Sequence, residues 1–326
     1  MNTVGRKLIL GGSGFIGTRL AALLMEQGIS IRIGDIRQSE AFPNLSMKCD
    51  VCRVETLKDA VEGTDAIVNL AAEHRDDVRP ISRYRETNVE GAKHICDVAR
   101  TAEIEKIVFT STVAVYGFQS TPADENCSFA PFNEYGRSKL EAEVIYRTWA
   151  EENPKRTLVI VRPTVVFGEG NRGNVYNLLR QISSHRFLMV GSGRNRKSMA
   201  YVGNLVAFLA HTFTLGPGIH IFNYVDGPDM STSELVDHIR SFLGQSRKAM
   251  RVPKTIALAG GQVLDAFGRI TNRTFPISAI RVRKFCENTQ FQANRVTHTG
   301  FVPPFTLLEG LSRTVSYEFS QCSRLP

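Results

Sequence analysis

The sequence predicts an α/β fold, a doubly wound parallel sheet with a smaller C-terminal substrate lobe, on three observations. An apolar run, Leu8-Ile9-Leu10, leads straight into a glycine ladder at Gly11, Gly12, Gly14 and Gly17, and a helix-like stretch follows. Short strand-like runs then alternate with helical stretches through the first half of the chain. A Tyr-x-x-x-Lys pair, Tyr135 and Lys139, opens a long helix shortly after one of those runs.

The first unit is strand, turn, helix. Residues 18–27 put Leu20, Leu23 and Leu24 on one helix face. In this context Gly11 or Gly12 permits the tight turn, Gly14 lets the backbone approach a pyrophosphate, and Gly17 lets helix and strand pack closely. The helix N-terminus then offers free N–H groups and a partial positive charge to phosphates, with Phe15 and Ile16 among the candidate cofactor contacts. Three spaced glycines alone also fit a turn that binds nothing, so the following elements carry the weight.

Gly28 ends the helix, and residues 29–33 alternate as a second strand with Asp35 at its end. An acid about 20 residues past such a turn accepts hydrogen bonds from ribose hydroxyls and repels a 2′-phosphate, which favours NAD over NADP. Arg37, two residues on, could instead welcome a phosphate, and a plain turn residue is the competing reading of Asp35. Residues 47–51 read as a short third strand that places Asp50 and Val51 beside the adenine, and 54–61 as a helix. Residues 66–70 form a buried strand running through Asn69 and Leu70 into Ala71 and Ala72, small enough to let a cofactor pass. A helical stretch over 81–101 contains Asn88 and Gly91, and 106–111 is the next strand.

Ligands of doubly wound sheets lie beyond the carboxyl ends of the strands, and the chemistry of this sequence falls there. Thr110-Ser111-Thr112 ends a strand, a loop runs to Pro131, and Tyr135 and Lys139 share one face of the helix over 135–150. An ammonium near a phenol stabilises phenolate and draws its pKa from ~10 toward neutrality, which makes Tyr135 a usable acid and base. A hydroxyl of Thr112 or Ser111 could hold the substrate oxygen. The pair is common on surface helices, and it gains meaning only from the glycine turn, the ribose acid and the hydroxyl-ended strand before it.

Composition excludes other classes. The 326 residues are 42% hydrophobic, and no apolar run approaches the ~18 residues of a membrane span. Arg6 and Lys7 before an apolar stretch faintly suggest a signal peptide, but the glycine ladder interrupts it. Six cysteines without an export signal suggest reduced thiols and a cytoplasmic setting. Cys49-x-x-Cys52 lacks a second ligand pair, so no metal is expected. The net charge of +8 implies an acidic partner, and with no nucleic-acid module in view a diphosphate or anionic lipid fits better than nucleic acid. The apolar stretch 256–267 followed by Arg269, Arg273, Arg281, Arg283 and Lys284 suits either a peripheral contact with the inner membrane or packing on the lobe. The histidines other than His74 show no ligand-like clustering.

Together these residues resemble the extended branch of the short-chain dehydrogenase/reductase superfamily. The match takes in Gly11/Gly14/Gly17, Asp35, Asp50-Val51, 69–72, Asn88, Ser111-Thr112 to Tyr116-Gly117, Tyr135/Lys139 and Arg162-Pro163. The resemblance implies NAD as cofactor, with Pro163 among its contacts, Thr112 assisting the tyrosine and Lys139 touching the nicotinamide ribose. It also implies a dinucleotide domain over 1–165, a partly interleaved sugar-diphosphate lobe over 166–326, and a homodimer through the helices 81–101 and 134–150.

Family dehydratases carry an acidic pair directly after the threonine; Val113 and Ala114 stand there, so elimination is excluded. A closer similarity, in 71–78, 171–178, 197–202 and 281–286, is to bacterial O-antigen epimerases of N-acetylhexosamines. That likeness implies interconversion of GlcNAc and GalNAc carried on UDP or undecaprenyl diphosphate. His74, Arg75, Asn174, Lys197 and Arg283 are then substrate-binding candidates, although a solvated loop is an equal reading of His74 and Arg75. A nucleotide-sugar 4-keto reductase is the competing enzyme class, and a non-catalytic binding module is disfavoured by the intact Thr112/Tyr135/Lys139 set.

Overall fold

A computed structural model describes residues 5–75, 78–119, 121–246, 249–271, 282 and 285–319. The chain forms two compact units. The first comprises Met1–Val166, Val202–Val225 and Phe291–Phe305; the second comprises Phe167–Tyr201, Asp226–Gln290 and Thr306–Pro326.

In the first unit seven strands form one sheet: β1 (Arg6–Leu10), β2 (Ile31–Asp35), β3 (Ser46–Lys48), β4 (Thr64–Asn69), β5 (Lys106–Thr110), β6 (Thr157–Pro163) and β7 (Gly218–Tyr224). Their spatial order is β7-β6-β5-β4-β1-β2-β3, and every neighbouring pair is parallel. A parallel sheet is covered on both faces, so its strands are continuous apolar runs. Leu8-Ile9-Leu10, Ile67-Val68, Ile107-Val108-Phe109 and Leu158 to Val161 are accordingly all buried.

One face of the sheet packs Leu8, Leu10, Ile67, Ile107, Phe109, Leu158 and Ile160 against three helices. These are α2 (Val54–Val61), α3 (Gly91–Thr101) and α4 (Glu134–Glu151). Strand alternation turns Ile9 and Ile33 to the opposite face, which carries α1 (Phe15–Glu26) packed against α5 (Val202–His211).

Three differences from the sequence expectation have physical causes. The third strand is shorter, because Asp50 accepts the Cys52 N–H at 2.9 Å and Thr56 takes the Asp50 N–H at 3.0 Å, turning the chain into α2. The helical run before α3 is not uniform: Ser82–Tyr84 leads into a π-helical stretch, Arg85–Glu90, that holds Asn88. The stretch 202–225, within the partly interleaved lobe expected over 166–326, falls in the first unit, where β7 pairs in register with β6 from Gly218↔Thr157 to Tyr224↔Pro163.

In the second unit Arg196–Tyr201 pairs antiparallel with Asp226–Ser231. Helix Thr232–Phe242 starts from a capping box of Ser231 and Glu234 and packs on Leu307–Phe319. A further helix spans Lys254–Thr271.

Candidate active site

The strand order reverses beside β1, with β4 on one side and β2 on the other, and this switch point opens the crevice that such sheets use for ligands. Gly11, at φ +74°, makes the turn that leaves β1, and its amide is held by Gly34 O at 2.8 Å. The Leu70 N–H donates to Leu10 O at 2.9 Å, which brings the end of β4 against that turn. Gly17 is needed for close approach: a Cβ there would stand 2.5 Å from both Gly11 O and Gly12 Cα.

Gly14 differs. A Cβ there would meet only Gly11 O, at 3.2 Å, so packing within the protein does not demand a glycine and the open side is available to a ligand. Gly14 is the N-cap of α1 and provides no side-chain cap, and the first turn carries no acid. The helix dipole and first-turn amides at Phe15 and Ile16 therefore remain for an anion.

Asp35 is 8% exposed at the end of β2. Its two oxygens accept the Ser13 N–H and the Arg37 N–H, each at 3.0 Å. Each oxygen keeps a lone pair for a ribose hydroxyl, and the negative charge stands beside the glycine turn. Leu70, Ala71 and Ala72 form a half-buried edge beyond β4, with the Ala71 N–H held by Asn69 Oδ1 at 3.0 Å. Uncapped helix start, pinned acid and small-residue edge fit a dinucleotide such as NAD.

Two cofactor candidates make their contacts within the protein. Val51 lies in the core, 5% exposed, and its carbonyl contacts His94 Nδ1 at 2.9 Å; Asp50, half-buried, remains at the surface of that loop. Asn88, 4% exposed, spends both amide hydrogens inside the protein, on Glu73 O at 3.0 Å and Ser138 Oγ at 2.9 Å. Its Oδ1 accepts the Glu73 N–H at 2.9 Å. Asn88 thus brackets the loop after β4 to the helix of Tyr135, whose carbonyl accepts from Ser138 Oγ at 2.9 Å. Pro163 is buried at the end of β6, opposite Tyr224.

Around the candidate acid–base pair, α4 starts at an Asn133 cap whose side chain accepts the Gly136 N–H. Tyr135 is half-buried in the first turn, and Lys139 one turn later is 1% exposed, its Nζ 4.2 Å from the centre of the Phe109 ring. Burial pushes the Lys139 ammonium down to about 7, against the opposing charge of Glu143. Of the two hydroxyl candidates, the structure separates one from the other. Ser111 donates its proton to Glu143 at 2.6 Å and is 2% exposed, so its hydroxyl is spent within the protein. Thr112 remains: its Oγ1 accepts the Ala114 N–H at 3.2 Å, capping the turn Val113–Tyr116.

His74 and Arg75 lie on the exposed loop after β4, with Arg75 facing Glu73 at 3.4 Å. In the second unit Asn174 opens the helix Asn174–Ser183, and the half-buried Lys197 donates to Glu287 O at 2.7 Å. Arg283 lies outside the described residues, as do Asp76 and Asp77.

Residues 7–223 match the family described as NAD dependent epimerase/dehydratase. The chain belongs to that family. Over 314 residues, 96% of this chain and 95% of the relative, it is 44% identical to the N-acetyl-alpha-D-glucosaminyl-diphospho-ditrans,octacis-undecaprenol 4-epimerase of Escherichia coli O157:H7. Among solved structures, the UDP-glucose 4-epimerase of Thermotoga maritima with UDP-glucose superimposes with a TM-score of 0.76 at 18% identity, covering 97% of this chain and 99% of that one. The Thermus thermophilus UDP-glucose 4-epimerase complex with NAD gives 0.75 at 19%, covering 96% and 98%. Those two likenesses bear on the fold; membership of the NAD-dependent epimerase/dehydratase family rests on the sequence match.

Proposed function

We propose that this protein is an NAD-dependent sugar 4-epimerase interconverting GlcNAc and GalNAc on undecaprenyl diphosphate, for surface-polysaccharide synthesis. The observation that carries it is an intact Thr112/Tyr135/Lys139 set in a chain 44% identical, over nearly its whole length, to a relative named for that reaction.

NAD, held at Gly11 to Gly17, Asp35 and 70–72, supplies when bound the acceptor and donor of hydride at the sugar C4. Tyr135 takes the proton of the 4-hydroxyl as its C–O bond becomes a carbonyl, and returns a proton once the ring has presented its other face. Lys139 supports the phenolate by its charge, and Thr112 steadies the oxygen on which the proton moves. Val113 and Ala114 have no group able to move a proton from C5, so the sequence ends at C4. Lys197 and Asn174 of the second unit are assigned to the diphosphate.

Among the described residues no helix is long and apolar enough to cross a membrane. The helix Lys254–Thr271, with Ile256 62% exposed, is the segment for peripheral contact with anionic lipid in this reading. A homodimer through residues 81–101 and 134–150 belongs to the same reading, and light scattering checks it.

The purified protein, offered GlcNAc-diphospho-undecaprenol and UDP-GlcNAc separately without added nicotinamide, should form GalNAc from the lipid-linked sugar. No GalNAc from either substrate, with NAD(P)H consumed stoichiometrically when a 4-keto nucleotide sugar is offered instead, would make it a reductase. Turnover of the UDP-sugar alone would refute the carrier.

A further inference from the structure

Glu143 follows Lys139 by one helical turn on the buried side of α4 and is 1% exposed. Its Oε1 accepts Ser111 Oγ at 2.6 Å and Arg162 Nε at 2.9 Å, and its Oε2 accepts Arg162 Nη2 at 2.6 Å. Arg162, fully buried at the end of β6, gives a third hydrogen bond to Tyr116 Oη at 2.6 Å, and Tyr116 donates to Asn223 Oδ1 at 2.8 Å. Arg147 approaches the same carboxylate from the half-exposed side at 3.9 Å. Burial presses the Arg162 guanidinium toward neutrality, but the Glu143 hydrogen bonds and charge carry it above its ordinary value.

We propose that Glu143 is a positioning residue for proton transfer: its one carboxylate ties the end of β5, where Thr112 follows Ser111, to the helix bearing Tyr135 and Lys139. Arg162 holds that carboxylate in a planar, two-pronged grip that fixes its orientation as well as its place. An apolar cluster of the same volume would hold this core at least as well, since desolvating ions offsets most of what their pairing returns. What apolar packing cannot supply is a directional bond to a strand end. Proton transfer needs that, because a misplacement of an ångström costs heavily in rate. The inference rests on the reading of Tyr135 as acid and base.

Removing Glu143 itself strands Arg162 without its counter-charge and endangers the fold, so Ser111→Ala is the decisive variant: it cuts the tie to β5 and leaves the ion pair. Its kcat should fall about ten- to a hundredfold with KM within about threefold, the signature of lost geometry. Bound cofactor and melting temperature should stay near those of the parent. Ser111→Cys, a weak donor of similar size, should recover part of the rate.

An unchanged kcat in Ser111→Ala overturns the proposal. So does a fall in kcat that only tracks a fall in melting temperature, which would mean a structural role. A loss as deep as that of Tyr135→Phe overturns it too, by making Ser111 a catalytic residue. Tyr135→Phe measured alongside separates the two levels. If it stays active, the reading of Tyr135 fails; if it is inactive while Ser111→Ala is normal, only the positioning role falls.

Discussion

A methyl group on Gly11 would stand 2.6 Å from the backbone nitrogen of Ala71, so the end of β4 closes directly onto the turn that leaves β1. The contact is backbone on backbone and cannot be relieved by a side-chain rotation. It holds the two edges of the switch-point crevice together, and Gly17 does the same between α1 and the turn, at 2.5 Å from Gly11 O.

Gly17→Ala should therefore cost about 1–3 kcal/mol of stability, as overpacking does, and lose most bound NAD. Thermal melting with and without added NAD checks both. Gly14→Ala, whose added carbon meets only one oxygen at 3.2 Å, should melt near the parent and still lose NAD. Retention of NAD by that variant would contradict the placement of the pyrophosphate over this turn.

Asp35→Asn tests the ribose assignment. The amide group that replaces one oxygen faces a backbone N–H, of Ser13 or Arg37, that the carboxylate accepted. NAD affinity should fall about tenfold or more, since hydrogen bonds to charged groups are worth about 1.5–3 kcal/mol, while NADP should lose less. Titration of both nucleotides by fluorescence gives the ratio, which should move toward NADP.

Lys139→Met should be inactive yet no less stable than the parent. Lys139 is buried with no carboxylate bonded to it among the described residues, whereas Arg162 already grips Glu143 at 2.6 Å, so removing Lys139 takes away a desolvated charge and leaves that ion pair intact. Burial lowers the folded-state value of Lys139 from 10.5 to about 7, so this group's contribution to stability is lost as pH falls through that window. The variant's advantage in melting temperature should be widest below pH 7 and narrow as pH rises toward 10.5. A variant less stable than the parent at pH 6 would contradict the burial cost assigned here.

What the sequence made legible was whatever depends on local pattern. Leu8 to Gly17 had to be strand, turn and helix, because continuous apolar runs and glycines at required backbone positions leave few other solutions. Tyr135 and Lys139 were visible because helical spacing alone places them on one face. Less legible were groups whose meaning lies in a distant partner. Asn88 could be marked, but its bracket to Glu73 and Ser138 depends on how a π-helical stretch meets α4. On their own spacing Ser111 and Thr112 were indistinguishable as neighbouring hydroxyls, only the resemblance favouring Thr112, until Glu143 claimed the first. Glu143 itself left one signal, a charged residue four positions after Lys139 on a face that must be buried. Strand β7 was not read as a strand, because an edge strand with an exposed start, Gly218 and Ile219, lacks the unbroken apolar run of a central one.

The central claim is that the hydrogen on C4 leaves and returns to the same carbon while Tyr135 handles only the hydroxyl proton. Substrate carrying deuterium at C4, turned over in ordinary water without added nicotinamide, measures this by mass spectrometry of the released GlcNAc and GalNAc. The label should remain at C4 in both sugars, with Tyr135→Phe slowing the exchange of epimers by about a thousandfold or more, as removal of an essential acid–base group does. Washing-out of the label into solvent would contradict the account.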